Sequence, residues 1–338
     1  MATSSYFGRN SFVGVAVETD YGTAVTTPTV TRPIISCSML RQVEKVERAN
    51  LRVMGTAGLR KGHYIVADKV TGSLELEATY DNCGYFLHHA LGESARSAGA
   101  DGDGIYTHTY SLGEVPAAGT TLRLQRGTSD FSETFEGVVF NVLTMSCAAG
   151  EHMTMSLEML GETSGDSSPA LRARGNTGLT LVDPSHENLV LHHHAGNMSW
   201  NSQTFNLIDF EYKLENGIAE RMRLGSLLTK QPVQSDFRSA TVTVSFETDD
   251  INGYQAFIAD NTSDLTITFD NDGSAAAYRE MKFQLNNAYI ESYTDEISEV
   301  GLITASVTFK GQADGGAAAD RGGQIIVKNV ATTTVDKG

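Results

Sequence analysis

Residues 55–82 read GTAGLRKGHYIVADKVTGSLELEATYDN, and residues 225–252 read GSLLTKQPVQSDFRSATVTVSFETDDIN. Each opens on a glycine, crosses a long polar stretch, enters an alternating run and ends on an acidic residue before an asparagine. In Ser73–Tyr80, Leu74, Leu76 and Ala78 face one way while Ser73, Glu75, Glu77 and Thr79 face the other, the period of a strand. Thr241–Thr248 repeats the pattern, with Val242, Val244 and Phe246 against Thr241, Thr243, Ser245 and Glu247. A second echo pairs Glu151–Gly161 (EHMTMSLEMLG) with Gly301–Gly311 (GLITASVTFKG), both alternating and both closed by glycine. One-sided alternation marks antiparallel sheets packed on one face only. Recurrence across half the chain points to a duplicated unit rather than a solenoid of short repeats.

Each echo runs on into a short aromatic segment, CGYFLHHAL in one half and GYQAFIADN in the other. Phe86, Leu87, Ala90 and Leu91 fall at helical spacing, with Asp81 or Asn82 available as a cap and Gly92 as a stop. Ile251, Tyr254, Phe257 and Ile258 do the same after Asp249 or Asp250. The expected fold class is therefore mainly β: two tandem β-sandwich or barrel domains, each with one short flanking helix. The first domain, with an N-terminal arm, is expected over residues 1–165 and the second over 179–312. Residues 166–178, inside the polar stretch GETSGDSSPALRARGNTG, read as the linker. Residues 313–338 read as a flexible C-terminal arm with one docking strand at Gln324–Val330.

The 338 residues suffice for two ordinary cores, and 40% hydrophobic with 20% charged residues argues against disorder. A net charge of −16 excludes a grip on nucleic acid by phosphate neutralisation and adhesion to anionic membranes. No apolar run approaches the roughly 20 residues that span a bilayer. The opening MATSSYFGRN lacks a charged-then-apolar pattern, so a secretory leader is not expected. Cys37, Cys83 and Cys147 all lie in the first half, an odd and irregular set that reads as reduced, buried thiols.

Residues with catalytic or ligand chemistry are few, and each has an ordinary explanation. His192, His193 and His194 are adjacent, so on a strand they cannot converge on one metal ion. His88 and His89 suit the C-terminal end of the first expected helix. ADGDGI at 100–105 and FDNDGS at 269–274 begin like calcium loops, but lack the later oxygen ligands and the closing glutamate. No glycine-rich phosphate loop, GxSxG elbow or HExxH is present, so neither an enzyme nor a cofactor is expected.

The segment Gly14–Ala24, GVAVETDYGTA, carries a glycine, a glutamate and then Tyr-Gly-Thr-Ala. It resembles the N-terminal signature of tail tube proteins from long-tailed bacteriophages, and the order that follows resembles that family too: a strand at Leu40–Glu47, a long loop, a strand, one helix and further strands. The resemblance covers residues 11–165 directly and the second half through the internal echo. It implies tail-tube-type domains whose sheets join those of neighbours around a lumen. If a ring takes six such modules, two per chain means three chains per ring. Further implications are a virion location in the phage tail, assembly in the bacterial host cytoplasm, and no membrane. The implied partners are the chain itself, in homotrimeric pseudo-hexameric stacked rings, and the tape measure, tail tip and tail terminator proteins. Double-stranded DNA would pass transiently, without specific binding. One departure stands out: the second half has no Tyr-Gly-Thr-Ala entry and starts near Leu189 with LVLHHHAGNMSW.

On this reading Glu75, Glu77, Glu158 and Glu247 are the lumen-lining candidates, because each alternates with core residues. Gly55–Val70 and Gly225–Arg238 are long for hairpin connections. Leu59, Arg60, Lys61, His63, Tyr64, Lys230 and Gln231 are therefore the candidates for contact between stacked rings. The alternative reading is a two-module β-sandwich that decorates the virion or binds a receptor through Tyr64, Trp200 and Tyr293.

Overall fold

The computed structural model describes residues 11–25, 27–47, 62–81, 83–98, 105–114, 119–125, 132–162, 189–196, 198–247, 252–271, 278–295, 303–313, 315 and 321–329. The first half holds β1 (Phe12–Val17), β2 (Val30–Pro33), β3 (Ser36–Cys37), β4 (Leu40–Glu47) and β5 (His63–Glu77). These are followed by α1 (Gly84–Leu91), β6 (Gly92–Ala98), β7 (Tyr106–Leu112), β8 (Thr120–Gln125), β9 (Ser132–Ala148) and β10 (Thr154–Glu162). The second half holds β11 (Met198–Trp200), β12 (Gln203–Phe205), β13 (Leu207–Glu215), β14 (Ile218–Arg221), β15 (Lys230–Gln234) and β16 (Ser239–Glu247). After it come α2 (Asn252–Ile258), β17 (Ser263–Asp270), β18 (Glu280–Asp295), β19 (Thr304–Lys310) and β20 (Gln324–Asn329). The protein is mainly β, as its alternation predicts, and its paired strands run antiparallel.

One sheet crosses the whole molecule in the order β4–β5–β10–β9–β13–β16–β19–β18. Its inner face carries Leu74, Met155, Leu157, Leu143, Met145, Phe210, Tyr212, Val244 and Val307, all buried in one core cluster. Two further layers cover that face. β2, β1 and β8 pair with the first part of β9 in one half. In the other, β12, β11 and β17 pair with the first part of β18. Trp200 is fully buried at that second layer, donating its indole N–H to the Ala288 carbonyl at 3.2 Å and meeting Phe309 edge-on. The long strands β9 and β18 thus each pair in both layers and turn the sheet at a corner.

The echoing segments occupy corresponding places. Met155, Leu157 and Met159 pair with Leu76, Leu74 and Gly72; Ala305, Val307 and Phe309 pair with Phe246, Val244 and Val242. β9 skips Asn141 in its ladder with β10, and β18 skips Glu291 at the corresponding step with β19. Such bulges alter strand bend and twist, so their coincidence fixes the same curvature twice. Thr120–Val138 and Leu122–Phe135 likewise match Ser263–Ala288 and Leu265–Leu285.

α1 starts at Gly84 with Cys83 in the cap position and no side-chain cap. Asp81, an expected cap, instead accepts from Arg279 Nε at 2.8 Å; Asn82, Asp249 and Asp250 lie outside the described residues. Gly92 ends the helix as expected, at φ 100° with its N–H on the His88 carbonyl.

The docking strand expected at Gln324–Val330 is present as β20, which pairs with β7 of the first half and β18 of the second and buries Ile325 and Val327. An alternating QIIVKN with an apolar inner row is stable once it has a ladder on both edges. Two expected loops are corrected. The stretch Gly55–Val70 is not all loop: His63–Val70 belongs to β5 and pairs with β4. Gly225–Arg238 likewise contains β15, paired with β14. His63, Tyr64 and Ile65 are all exposed, as are Lys230, Val233 and Gln234, so neither stretch carries an uninterrupted apolar row to advertise a strand. The two halves are also interleaved. Val190 is fully buried between Ala78 and Met153 of the first half, while β6 and β7 reach the second through β20.

Candidate channel face and assembly edges

The outer face of the central sheet is mostly polar, interrupted by Leu40 and Leu160 opposite Thr71, Val142 opposite Glu158 and Tyr289 opposite Lys310. Opposed residues of an antiparallel ladder share a face, and so do residues two apart. From Glu77 the register runs through Thr154, Ser146, Glu211, Thr243, Thr308 and Ser292, strand by strand across the molecule. Glu75 and Glu158 sit on the same face of β5 and β10, opposite Ser156 and Ser73. Glu247 sits there opposite Thr304. All four expected glutamates therefore share one surface, although nothing in their spacing required the two halves to agree. Glu77, Glu158 and Glu247 are exposed; Glu75 is half-buried and accepts from Ser36 Oγ at 2.9 Å.

Asp209, Glu211 and Glu215 of β13 join this surface and were missed as candidates. The signal was available, since Phe210, Tyr212 and Leu214 alternate with them as buried residues. The cations on this face include Lys69, 3.1 Å from Glu44 and 3.0 Å from Glu220, Lys213, 2.6 Å from Glu215, and Lys310, 3.2 Å from Glu291. Hydroxyls fill most of the remainder. The result is an acidic, Ser/Thr-rich surface whose lysines are paired with carboxylates and whose Tyr289 is half-buried beside Lys310, which offers a polyanion little charge pairing or base stacking.

The signature segment has a structural role. Glu18 is buried and accepts from Gly22 N (2.9 Å), Thr121 Oγ1 (2.8 Å) and Gly137 N (2.8 Å). Burial pushes its pKa up against the pull of these three donors. Gly137 lies at φ +62°, and a Cβ there would come 2.7 Å from the Tyr21 ring. The Glu-Thr-Asp-Tyr-Gly run thus fastens the β1–β2 connection onto β8 and β9. In the second half, β11 and β12 are joined by Asn201 and Ser202 alone, both at positive φ (51° and 62°). A two-residue turn leaves nothing for such a lock to hold, which explains the missing signature.

The remaining candidates divide. Leu59, Arg60 and Lys61 lie outside the described residues. His63 and Tyr64 are exposed on β5, opposite Glu47 and Val46. Lys230 and Gln231 lie on β15, whose hairpin rests on the first half: Asp68 N donates to Leu227 O at 2.8 Å, and Lys69 meets Glu220 at 3.0 Å. Apolar side chains are exposed on and beside these hairpins, with Leu224 fully exposed between β14 and β15 and Phe237, just after β15, at 92% exposure. The aromatic set of the alternative reading does not converge, for Trp200 is core and Tyr293 packs against Tyr254 and Phe257 beside α2. His192–His194 form a single 3-10 turn, and no cluster of metal ligands occurs among the described residues. No described helix is long and apolar enough to cross a membrane.

A family model described as phage tail tube protein matches residues 8–311, nearly the whole chain. The chain belongs to the phage tail tube protein family. It is a structural protein of the virion tail, and the family model spans both halves of the central sheet. No curated protein matches it.

Proposed function

We propose that this tail tube protein closes into rings of three chains, each chain supplying two tube modules, and that the rings stack into the tail tube. The observation that carries this reading is the repeated register inside one continuous sheet: two units with the same pairings and the same bulge, joined edge to edge. On this reading the modules are the two halves on either side of the linker at 166–178, with β20 holding them together. A chain carrying two similar but non-identical units would build a pseudo-sixfold ring with true threefold symmetry.

The acidic Ser/Thr face would line the channel, with Glu75, Glu77, Glu158 and Glu247 joined by Asp209 and Glu211. Double-stranded DNA carries one charge per ~1.7 Å of axis, so a wall of the same sign lets it slide during ejection instead of holding it. The hairpins β4–β5 and β14–β15 would reach the adjoining ring through His63, Tyr64, Lys230, Gln231 and the segment around Arg60 and Lys61, burying their exposed apolar side chains. The tape measure, tail tip and tail terminator proteins are the expected partners at the tube's interior and ends. Helical reconstruction of purified tubes tests the reading: the acidic face should line the lumen, and its appearance on the outer wall would overturn the channel assignment.

A further inference from the structure

The central sheet contains one joint between the halves and two outer edges. At the joint, β13 lies beside β9, with Tyr212 opposite Met145, Lys213 opposite Thr144 and Leu214 opposite Leu143. Among the described residues, β4 pairs with β5 alone, and Tyr289–Asp295 of β18 pairs with β19 alone. The matched ladders carry Met145 to Asp295, Thr144 to Thr294 and Val142 to Ser292. They likewise carry Lys213 to Leu40 and Glu215 to Gln42, through Thr241 and Thr71 on the strands between. Each outer edge is thus the counterpart of one side of the internal joint.

Resting on the ring reading above, we infer that the internal joint is the template for the joint between chains. β18 of one chain pairs with β3–β4 of the next, with Leu40 opposite Thr294 and Gln42 opposite Ser292. A second observation points to the same contact. At the internal joint the C-terminal end of α1 is held by the second half: Asn216 Nδ2 reaches the Ala90 carbonyl at 3.0 Å, and Arg238 reaches it at 2.9 Å. Ala90 and Ile258 hold the same place in their helices, each at the seventh helical residue (from Gly84 and from Asn252) and two residues before a residue at positive φ, Gly92 and Asp260. The counterpart of Ala90 is therefore Ile258, and the counterpart of Asn216 is Val43. Both are exposed apolar residues in the single chain, at 65% and 39%. Paired across the joint they bury each other, so an apolar contact between chains takes the place of the polar clamp within the chain. Burial favours the contact through the hydrophobic effect rather than through directional bonds.

Disulfide trapping of assembled rings tests the register. Directly opposed residues bring Cα atoms about 4.5–5.5 Å apart, within disulfide reach, whereas diagonal neighbours at about 7–8 Å are not. In a Cys37→Ser background, Leu40→Cys with Thr294→Cys should give a non-reducing ladder ending at the covalent trimer. Leu40→Cys with Ser292→Cys should give at least tenfold less. Rings by microscopy with the diagonal pair cross-linking better would refute the register while leaving the ring reading intact. Rings in which neither pair cross-links would refute the choice of edges. A lack of rings under every condition would sink both readings. As an independent check, Val43→Lys should lower ring yield at least fivefold with unchanged circular dichroism; unchanged yield would remove Val43 from the joint.

Discussion

Arg238 should hold the two halves of the chain together more than any other single polar side chain. It leaves the second half and donates to Asn216 Oδ1 at 2.8 Å, to the Ala90 and Leu91 carbonyls at 2.9 and 3.0 Å, and to the Gly113 carbonyl. Half-buried, its pKa is pulled down to about 10 by burial, so it keeps its charge at neutral pH and meets the negative end of α1. Bonds to a charged donor contribute about 1.5–3 kcal/mol each, but they do not all disappear on truncation. Ala90 O keeps Asn216 at 3.0 Å and Leu91 O keeps Gly113 N at 2.9 Å. Arg238→Ala should therefore cost about 2–4 kcal/mol, a fall in Tm of roughly 4–8 °C by calorimetry. Arg238→Lys retains the charge near the helix end without the planar fork, and should lose about half as much. Amide exchange at Leu87–Leu91 should accelerate in both variants as the helix end loosens. A loss below about 0.5 kcal/mol in Arg238→Ala, or full stability in Arg238→Lys, would refute the clamp.

Three further outcomes follow from the same geometry. His89 packs against Tyr85 and Phe140 (ring centroids 4.5 and 6.3 Å), and burial, with His88 beside it, pushes its pKa down to about 3. Its depressed folded pKa means that stability is complete above the unfolded value near 6.5 and is lost as pH falls toward 3. The loss is about 1.4 kcal/mol per unit, and urea titrations at pH 7 and 4.5 should show His89→Leu much flatter than wild type. Replacing Glu75, Glu77 and Glu247 together by Lys should leave folding within roughly ±0.5 kcal/mol per site while slowing DNA ejection, with relief at higher salt. Normal ejection at low salt would remove these residues from the lumen. Shortening Leu59–Ile65 should leave soluble chains that close rings but do not elongate, as seen by sedimentation; tubes of normal length would clear this hairpin of a stacking role.

The alternation in Ser73–Tyr80 and Thr241–Thr248 made the central sheet legible, because a strand with one wet face and one buried face writes its period into the sequence. The same rule placed Glu75, Glu77, Glu158 and Glu247 on outer faces. What it could not reveal was that these faces coincide, for that depends on the β9–β13 ladder joining the halves. The strand at Leu40–Glu47 is expected from the sequence, but its partner stretch in β5 and the β14–β15 hairpin read as loops for the opposite reason: Tyr64 and Ile65 are adjacent and both exposed, so no period survives. β20 was legible as a strand but not as a central one, since its neighbours β7 and β18 lie far away in the chain. The Glu-Thr-Asp-Tyr-Gly signature was visible as a family resemblance, and its physical meaning emerged only when Gly22, Thr121 and Gly137 met around Glu18.

The central claim is that one chain supplies two equivalent places in a ring. Mass measurement of isolated single-layer rings, combined with helical reconstruction of the tube, tests it most directly. The account predicts three chains per ring, with threefold symmetry and sixfold pseudo-symmetry in the inner sheet. Six chains in a single-layer ring, each contributing one module to the wall, would contradict it.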